Sequence, residues 1–151
     1  LSMISVIQRV KSGSVSVDKS IISSINKGLL VLAGIEKGDT AADLEYSAKK
    51  ITELRIFEDD AGKMNLSVID VGGEILAVSQ FTLLGNVQKG RRPGFDNAMP
   101  PETAKIMFDD FVKMLSQTIS TVKTGSFGAH MEVSLINDGP VTFVIDSRKR
   151  V

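Results

Sequence analysis

Helical periodicity occurs only twice in this chain, and both times in its middle. In "DTAADLEYSAKKITEL" (39–54), Ala41, Leu44, Ala48, Ile51 and Leu54 recur at helical spacing. In "PETAKIMFDDFVKML" (101–115), Ala104, Met107, Phe108, Phe111, Val112 and Leu115 share one face. Thr40 with Asp43 forms a T-x-x-D start signal for the first helix, and Pro101 with Glu102 suits the first turn of the second. Strand signals surround both segments. "ISVIQRV" (4–10) and "GLLVLAGI" (28–35) are β-branched or apolar runs, and "GSVSVD" (13–18) alternates valine with serine. "GEILAVSQFTL" (73–83), "STVKTGSF" (120–127), "AHMEVSLIN" (129–137) and "VTFVID" (141–146) follow. The expected order is β-β-β-α-β-α-β-β-β. It predicts one α/β domain over residues 1–151, a mixed and largely antiparallel sheet with two amphipathic helices covering one side. Leu1 and Ser2 precede the first methionine and are set aside as an expression remnant.

Composition narrows the function. The chain has 151 residues, 18 basic and 18 acidic, so formal net charge is zero, whereas nucleic-acid binders usually carry a basic excess. Basic residues cluster only in "KGRRPGF" (89–95) and "SRKRV" (147–151), each readable as a phosphate contact or as solvated loop and tail. Cysteine is absent, which removes disulfides, cysteine nucleophiles and cysteine-ligated metals. No apolar run reaches the roughly 18 residues of a membrane span, and no leader pattern opens the chain, so a cytoplasmic location is expected. The one histidine, His130, falls on the more polar face of its expected strand and reads as a surface residue. No G-x-S-x-G, Walker or G-x-G-x-x-G motif occurs. "EDDAGKMN" (58–65) reads as a turn; as an acidic metal loop it lacks ligands. No metal and no organic cofactor are expected.

Two stretches keep chemistry open. Ser79, Gln80, Phe81 and Thr82 stand at the end of an apolar strand. Backbone N–H groups there, with polar side chains beside them, suit a carbonyl or hydroxyl oxygen, as in an oxyanion hole; alternatively Ser and Thr merely end the strand. Asn137-Asp138-Gly139-Pro140 reads first as a turn between two strands. Between these stretches lies a Gly/Pro-bearing loop (85–101), long enough to suggest function.

Taken together, "QRV", "GLLVLAGIEK", "RIFEDDAGKMNLSV", "VSQFTL", "KGRRPGF" and "GSFGAHMEVSLINDGPVTF" resemble, in order and over Met3 to about Asp146, the D-aminoacyl-tRNA deacylases. The resemblance implies that family's barrel-like fold, a homodimer and a metal-free proofreading hydrolase. Such an enzyme cleaves the ester joining a D-amino acid, or glycine, to the terminal adenosine of tRNA. It implies Ser79, Gln80, Phe81 and Thr82 as the ester site, with the substrate's own 2′-hydroxyl helping to activate water. Thr82 as nucleophile is the older view; no base stands obviously beside it. It implies Gly139-Pro140, joined by a cis peptide, as a chiral filter reaching into the partner's pocket and rejecting L side chains by clash. Arg9 would orient that motif, Phe127 and Met131 would surround the adenine, and Ala98 would line the amino-acid pocket. Lys89, Arg91 and Arg92 would contact acceptor-end phosphates. "GRRPGF" carries Gly94 where the family commonly has serine. Partners would be the aminoacyl-tRNA acceptor end and a second copy, with no membrane and no DNA. Two other readings stand beside it: a dimeric binder of tRNA ends or nucleotides without turnover, and an esterase for small D-amino-acid esters.

Overall fold

The computed structural model describes residues 2–149. Its elements are β1 (Ile4–Val17), β2 (Ser20–Ile25), β3 (Gly28–Gly34), α1 (Ala41–Glu53), β4 (Phe57–Glu58), β5 (Met64–Leu66), β6 (Glu74–Ser79), α2 (Pro101–Leu115), β7 (Val122–Thr124) and β8 (Glu132–Asp146), with a 3-10 turn over Phe81–Leu84. The architecture is the mixed sheet with two helices expected from the sequence, curled into a nearly closed barrel. β1 has β8 on one edge; β2 and then β3 run antiparallel to it on the other. β3 pairs parallel with β6, and β6 parallel with β7. The Ser23 hydroxyl donates to the Thr124 carbonyl, tying β2 to β7 across the barrel.

The apolar runs become intelligible from the packing. Leu29, Val31 and Ala33 of β3 and Ile75 and Ala77 of β6 face one core, which they share with Leu44, Ala48 and Ile51 of α1 and Phe108, Phe111 and Leu115 of α2. Leu30 of β3 and Leu76 and Val78 of β6 face a second core inside the curl, with Val10, Val15 and Ile25. A parallel pair buried on both faces has no polar side, so neither strand alternates in sequence. Gly28 is required where the pair begins, because a Cβ there would lie 1.8 Å from the Glu74 carbonyl oxygen.

Several boundaries differ from the expectation. The two strands expected over 4–18 are one strand, β1, running through Lys11-Ser12-Gly13. β2 was not foreseen, because "SIISSI" mixes exposed and buried positions without clean alternation. The strand expected over 73–83 ends at Ser79, and Phe81–Leu84 turn into the 3-10 segment. The strand expected over 129–137 starts at Glu132, which leaves His130 exposed in the preceding segment. Asn137–Pro140 does not separate two strands. β8 continues through it, because both halves pair with the long β1, and only a bulge marks the motif. The acidic stretch is the turn between β4 and β5: the Asp59 carboxylate accepts from Ala61 N–H at 2.9 Å and Lys63 N–H at 3.0 Å. Among the described residues no group of three or more His, Cys, Asp or Glu is arranged to hold a metal, and no helix is long and apolar enough to cross a membrane. Ser2, set aside in the sequence, is buried, and its N–H donates to Glu36.

The turn from β3 to α1 is a carboxylate knot. Asp43 accepts from Thr40 N–H at 2.8 Å, as the start signal predicts, and from the Ser147 hydroxyl at 2.7 Å. Arg148 stands 3.4 Å from Asp43, so "SRKRV" begins as structure; its last two residues lie outside the described residues. Burial pushes the Asp43 carboxyl up, but Thr40 N–H, Ser147 and Arg148 outweigh it and hold it below its ordinary range. Asp39 is buried beside it, accepting from Glu36 N–H at 2.7 Å. Burial, aided by the charges of Asp43 and Glu36, pushes Asp39 up to about 6, against the Glu36 backbone bond and Arg148.

A folded-state pKa of about 6, above the ordinary 3.8, means that the native chain holds this proton when the unfolded chain has lost it. The Asp39 contribution to stability therefore falls as pH rises from about 4 to about 6 and is constant above. Asp39→Asn keeps an acceptor for Glu36 N–H without the buried charge. It is expected to stabilise the protein at pH 7 by about 2 kcal/mol, with no gain at pH 4. Urea unfolding of both proteins from pH 4 to 7 checks this; parallel curves would contradict it.

Candidate active site

The C-terminal ends of the parallel pair open into a cavity of about 530 Å³. Ile35 closes it from the end of β3, Ser79 and Gln80 from β6, and Phe81 and Thr82 from the 3-10 turn. Here the chain leaves the ladder. Gln80 N–H makes the last bond, to the Ala33 carbonyl at 2.8 Å, and the next residues coil back over β3. Gly34 permits that approach: a Cβ there would meet Leu84 Cδ2 at 2.4 Å and the Gln80 carbonyl oxygen at 2.9 Å. The first N–H groups of a 3-10 turn, those of Phe81 and Thr82, have no acceptor within it. Gln80 Nε2 donates to Thr82 Oγ1 at 3.0 Å. The Thr82 hydroxyl therefore already accepts from an amide, and neither His130 nor a carboxylate is among the cavity-lining residues.

Other elements complete the wall. Phe127 and Met131 enter from the segment before β8, and Ala98 from the long loop. Phe127 also packs on Phe108 with ring centroids 6.3 Å apart, and Met131 borders the second core, so each serves both core and cavity. Ala98 bridges to Glu36, Met99 N–H donates to the Ile35 carbonyl at 3.0 Å, and Lys37 N–H donates to the Asn97 carbonyl at 2.9 Å. Seven residues singled out in the sequence thus share one cavity. Residues the sequence reading missed also line it: Phe95, Met99, Pro100, Pro101, Ala104, Gly128 and Ala129. The available signal was Phe95, a large apolar residue in a Gly/Pro-bearing loop. It stands edge-on to Phe81 with centroids 5.1 Å apart, and both rings are exposed.

Gly139 and Pro140 are not in this cavity. They are exposed on the bulge of β8, and the bond between them is cis. Gln8 pairs with Thr142 and Val10 with Asn137, so Asp138 to Val141 stand opposite the single residue Arg9. Asn137 Oδ1 closes the bulge by accepting from Val141 N–H at 2.7 Å. Arg9 holds it from below. Its side chain is 7% exposed; Nε donates to the Asp138 carbonyl at 2.9 Å and Nη1 to the Ile56 carbonyl at 2.8 Å. Lys89, Arg91 and Arg92 are exposed in the long loop, and only Lys89 and Arg92 line a depression there. At Gly94 a Cβ would have nothing within 4 Å, so the glycine is not required by packing.

Residues 6–146 match the family described as D-Tyr-tRNA(Tyr) deacylase. The chain is 59% identical to the D-aminoacyl-tRNA deacylase of Persephonella marina, covering 97% of this chain and 99% of that one. It is 56% identical to that of Geobacter sulfurreducens, covering 98% and 97%. Among solved structures it is similar to the c-Myc DNA Unwinding Element Binding Protein, with a TM-score of 0.90, 46% identity and coverage of 94% and 97%. A probable eukaryotic D-amino acid tRNA deacylase, at TM-score 0.84 and 18% identity over 97% and 100%, shares the fold.

Arg9→Met would leave the Asp138 and Ile56 carbonyls without their shared donor. It is expected to destabilise the fold by about 3 kcal/mol. Arg9→Lys, lacking the planar fork, should recover less than half of that. Urea unfolding measures both; a loss below about 1 kcal/mol for Arg9→Met would show that the grip is dispensable.

Proposed function

The chain belongs to the D-Tyr-tRNA(Tyr) deacylase family, hydrolases that act on D-aminoacyl-tRNA, and from that premise we propose that the cavity at the end of β6 is its ester site. The observation that carries the reading is the convergence of Ser79, Gln80, Phe81 and Thr82 with Phe127, Met131 and Ala98 on one cavity. Its apolar walls suit an amino-acid side chain and an adenine, and an aromatic ring is a common partner for an unpaired base.

The ester carbonyl oxygen lies against the Phe81 and Thr82 N–H groups, which gain most as it becomes an oxyanion. Water, activated with the help of the substrate's 2′-hydroxyl, adds to the carbonyl carbon. The bond to the ribose 3′-oxygen breaks, that oxygen takes a proton, and free D-amino acid and tRNA leave. Thr82 positions rather than attacks, which the Gln80 bond and the lack of a base in the lining favour. The enzyme is a homodimer in which Gly139-Pro140 of one copy closes the other's pocket. An L side chain strikes the motif, a D side chain points away, and glycine, with no side chain, passes. Two observations support this arrangement: the motif is exposed outside its own cavity, and β8 is an edge strand carrying Ile136, Phe143 and Val144 at 57%, 40% and 50% exposure. Arg9 holds the motif in place. Lys89, Arg91 and Arg92 contact the acceptor end. A tRNA substrate puts the reaction in the cytoplasm.

Purified protein is expected to deacylate D-tyrosyl-tRNA and spare L-tyrosyl-tRNA, with a chelator present. Binding of tRNA with loss of neither ester would support the binding module instead. Thr82→Ala should lose less than about 100-fold in rate, against roughly 10⁶-fold for removal of a true nucleophile. Complete loss with an intact fold, and an acyl-enzyme trapped in the wild type, would contradict water attack.

A further inference from the structure

The long loop builds a second cavity that the ester site does not use. Asn86 and Gly94 pinch the loop with two reciprocal backbone bonds, of 2.7 and 2.9 Å. Within the pinch lies a cavity of about 240 Å³ lined by Asn86, Lys89, Arg92, Gly94, Asp96 and Asn97. It is polar where the ester cavity is apolar, and the two share a wall. Along 94–98, Phe95 and Ala98 line the ester cavity, while Gly94, Asp96 and Asn97 line the polar one. Neither Lys89 nor Arg92 has an ion-pair partner among the described residues. The lining thus holds two unpaired cations and one carboxylate, in a chain whose formal net charge is zero. Two cations beside two side-chain amides form a donor-rich pocket with ample room for a tetrahedral oxyanion.

Resting on the deacylase reading, we propose that this polar cavity holds the phosphodiester joining the terminal adenosine to the nucleotide before it. With adenosine in the ester cavity, the next group along the substrate is that phosphate, and the next cavity along the wall is this one. Lys89 and Arg92 are its cationic contacts. Asn86 and Asn97 supply amide donors. Asp96 opposes the charge and keeps the affinity for free anions low. The site reads no base, so it serves any tRNA with the same terminal sequence. Arg91 does not line it, so its contact with the acceptor end falls outside this cavity.

The test compares 3′-O-(D-tyrosyl)adenosine with the same ester carrying a 5′-phosphate. At low ionic strength the phosphate is expected to raise kcat/KM about tenfold, mainly through KM, and the gain should shrink with added salt. In the double variant Lys89→Gln/Arg92→Gln the gain should fall below about twofold, while Asp96→Asn should enlarge it. No gain in the wild type, or a gain that survives the double variant with an unchanged circular dichroism spectrum, would overturn the proposal. Should both esters be inert while D-tyrosyl-tRNA is cleaved, adenosine and 5′-AMP as competing inhibitors give the same comparison, with the same expected ratio. Failure to cleave D-tyrosyl-tRNA as well would overturn the deacylase reading and this proposal together, so the two failures are distinguishable.

Discussion

The parallel pairing of β3 with β6, buried on both faces, is the constraint on which the rest of the structure depends. A strand pair with no solvent face must be apolar along its whole length, and it must stop where its cover stops. The cover here is α1 and α2 on one side and the curl of β1 and β2 on the other. Beyond Ser79 the parallel ladder stops. The chain bends into the 3-10 turn over Gly34, and polar side chains and the first N–H groups of that turn gather at the open end. The cavity is thus a consequence of how the core ends, and its donors are fixed by the most deeply buried strands in the molecule. Donors anchored in this way cost little reorganisation when charge develops on a substrate oxygen.

The second organising contact lies between β1 and β8. β1, of fourteen residues, and β8, of fifteen, form a long ladder with two irregularities, at Arg9 and at Lys11, and Arg9 fills the wider one. A buried guanidinium on two backbone carbonyls, with the Asp138 and Glu58 carboxylates 3.7 and 3.9 Å away, holds the bulge, so Gly139 and Pro140 stand out from the edge. The carboxylate knot of Asp39 and Asp43 similarly ties the end of β8 to the start of α1. Through Lys37 and Glu36 the same turn is bonded to the loop carrying Ala98 and Met99.

Much of this was legible in the sequence. The two helices, the buried strands and the Thr40–Asp43 start follow from period, apolar runs and capping chemistry. Ser79–Thr82 stood out because polar residues ended an apolar strand. Their convergence with Phe127, Met131 and Ala98 came from the family resemblance, since those residues lie far apart in the chain. What stayed illegible was non-local. Asn-Asp-Gly-Pro carries turn chemistry, and only the length of β1 opposite shows that β8 passes through it. The end of β6 at Ser79 depends on Gly34, forty-five positions earlier. Phe95 and the Pro100-Pro101 step line the cavity because Ile35 and Lys37 pin their loop, which no local pattern records.

The central claim is that the N–H groups after Ser79 receive the ester carbonyl while a second copy supplies the wall that reads chirality. A crystal structure with the non-hydrolysable 3′-amide of D-tyrosine and adenosine tests it most directly. The account requires the amide carbonyl oxygen within hydrogen-bond distance of Phe81 or Thr82 N–H. It also requires Gly139-Pro140 of the neighbouring copy in van der Waals contact with the α-carbon. Ligand bound elsewhere, or bound here with Gly139-Pro140 of both copies facing solvent, would contradict it.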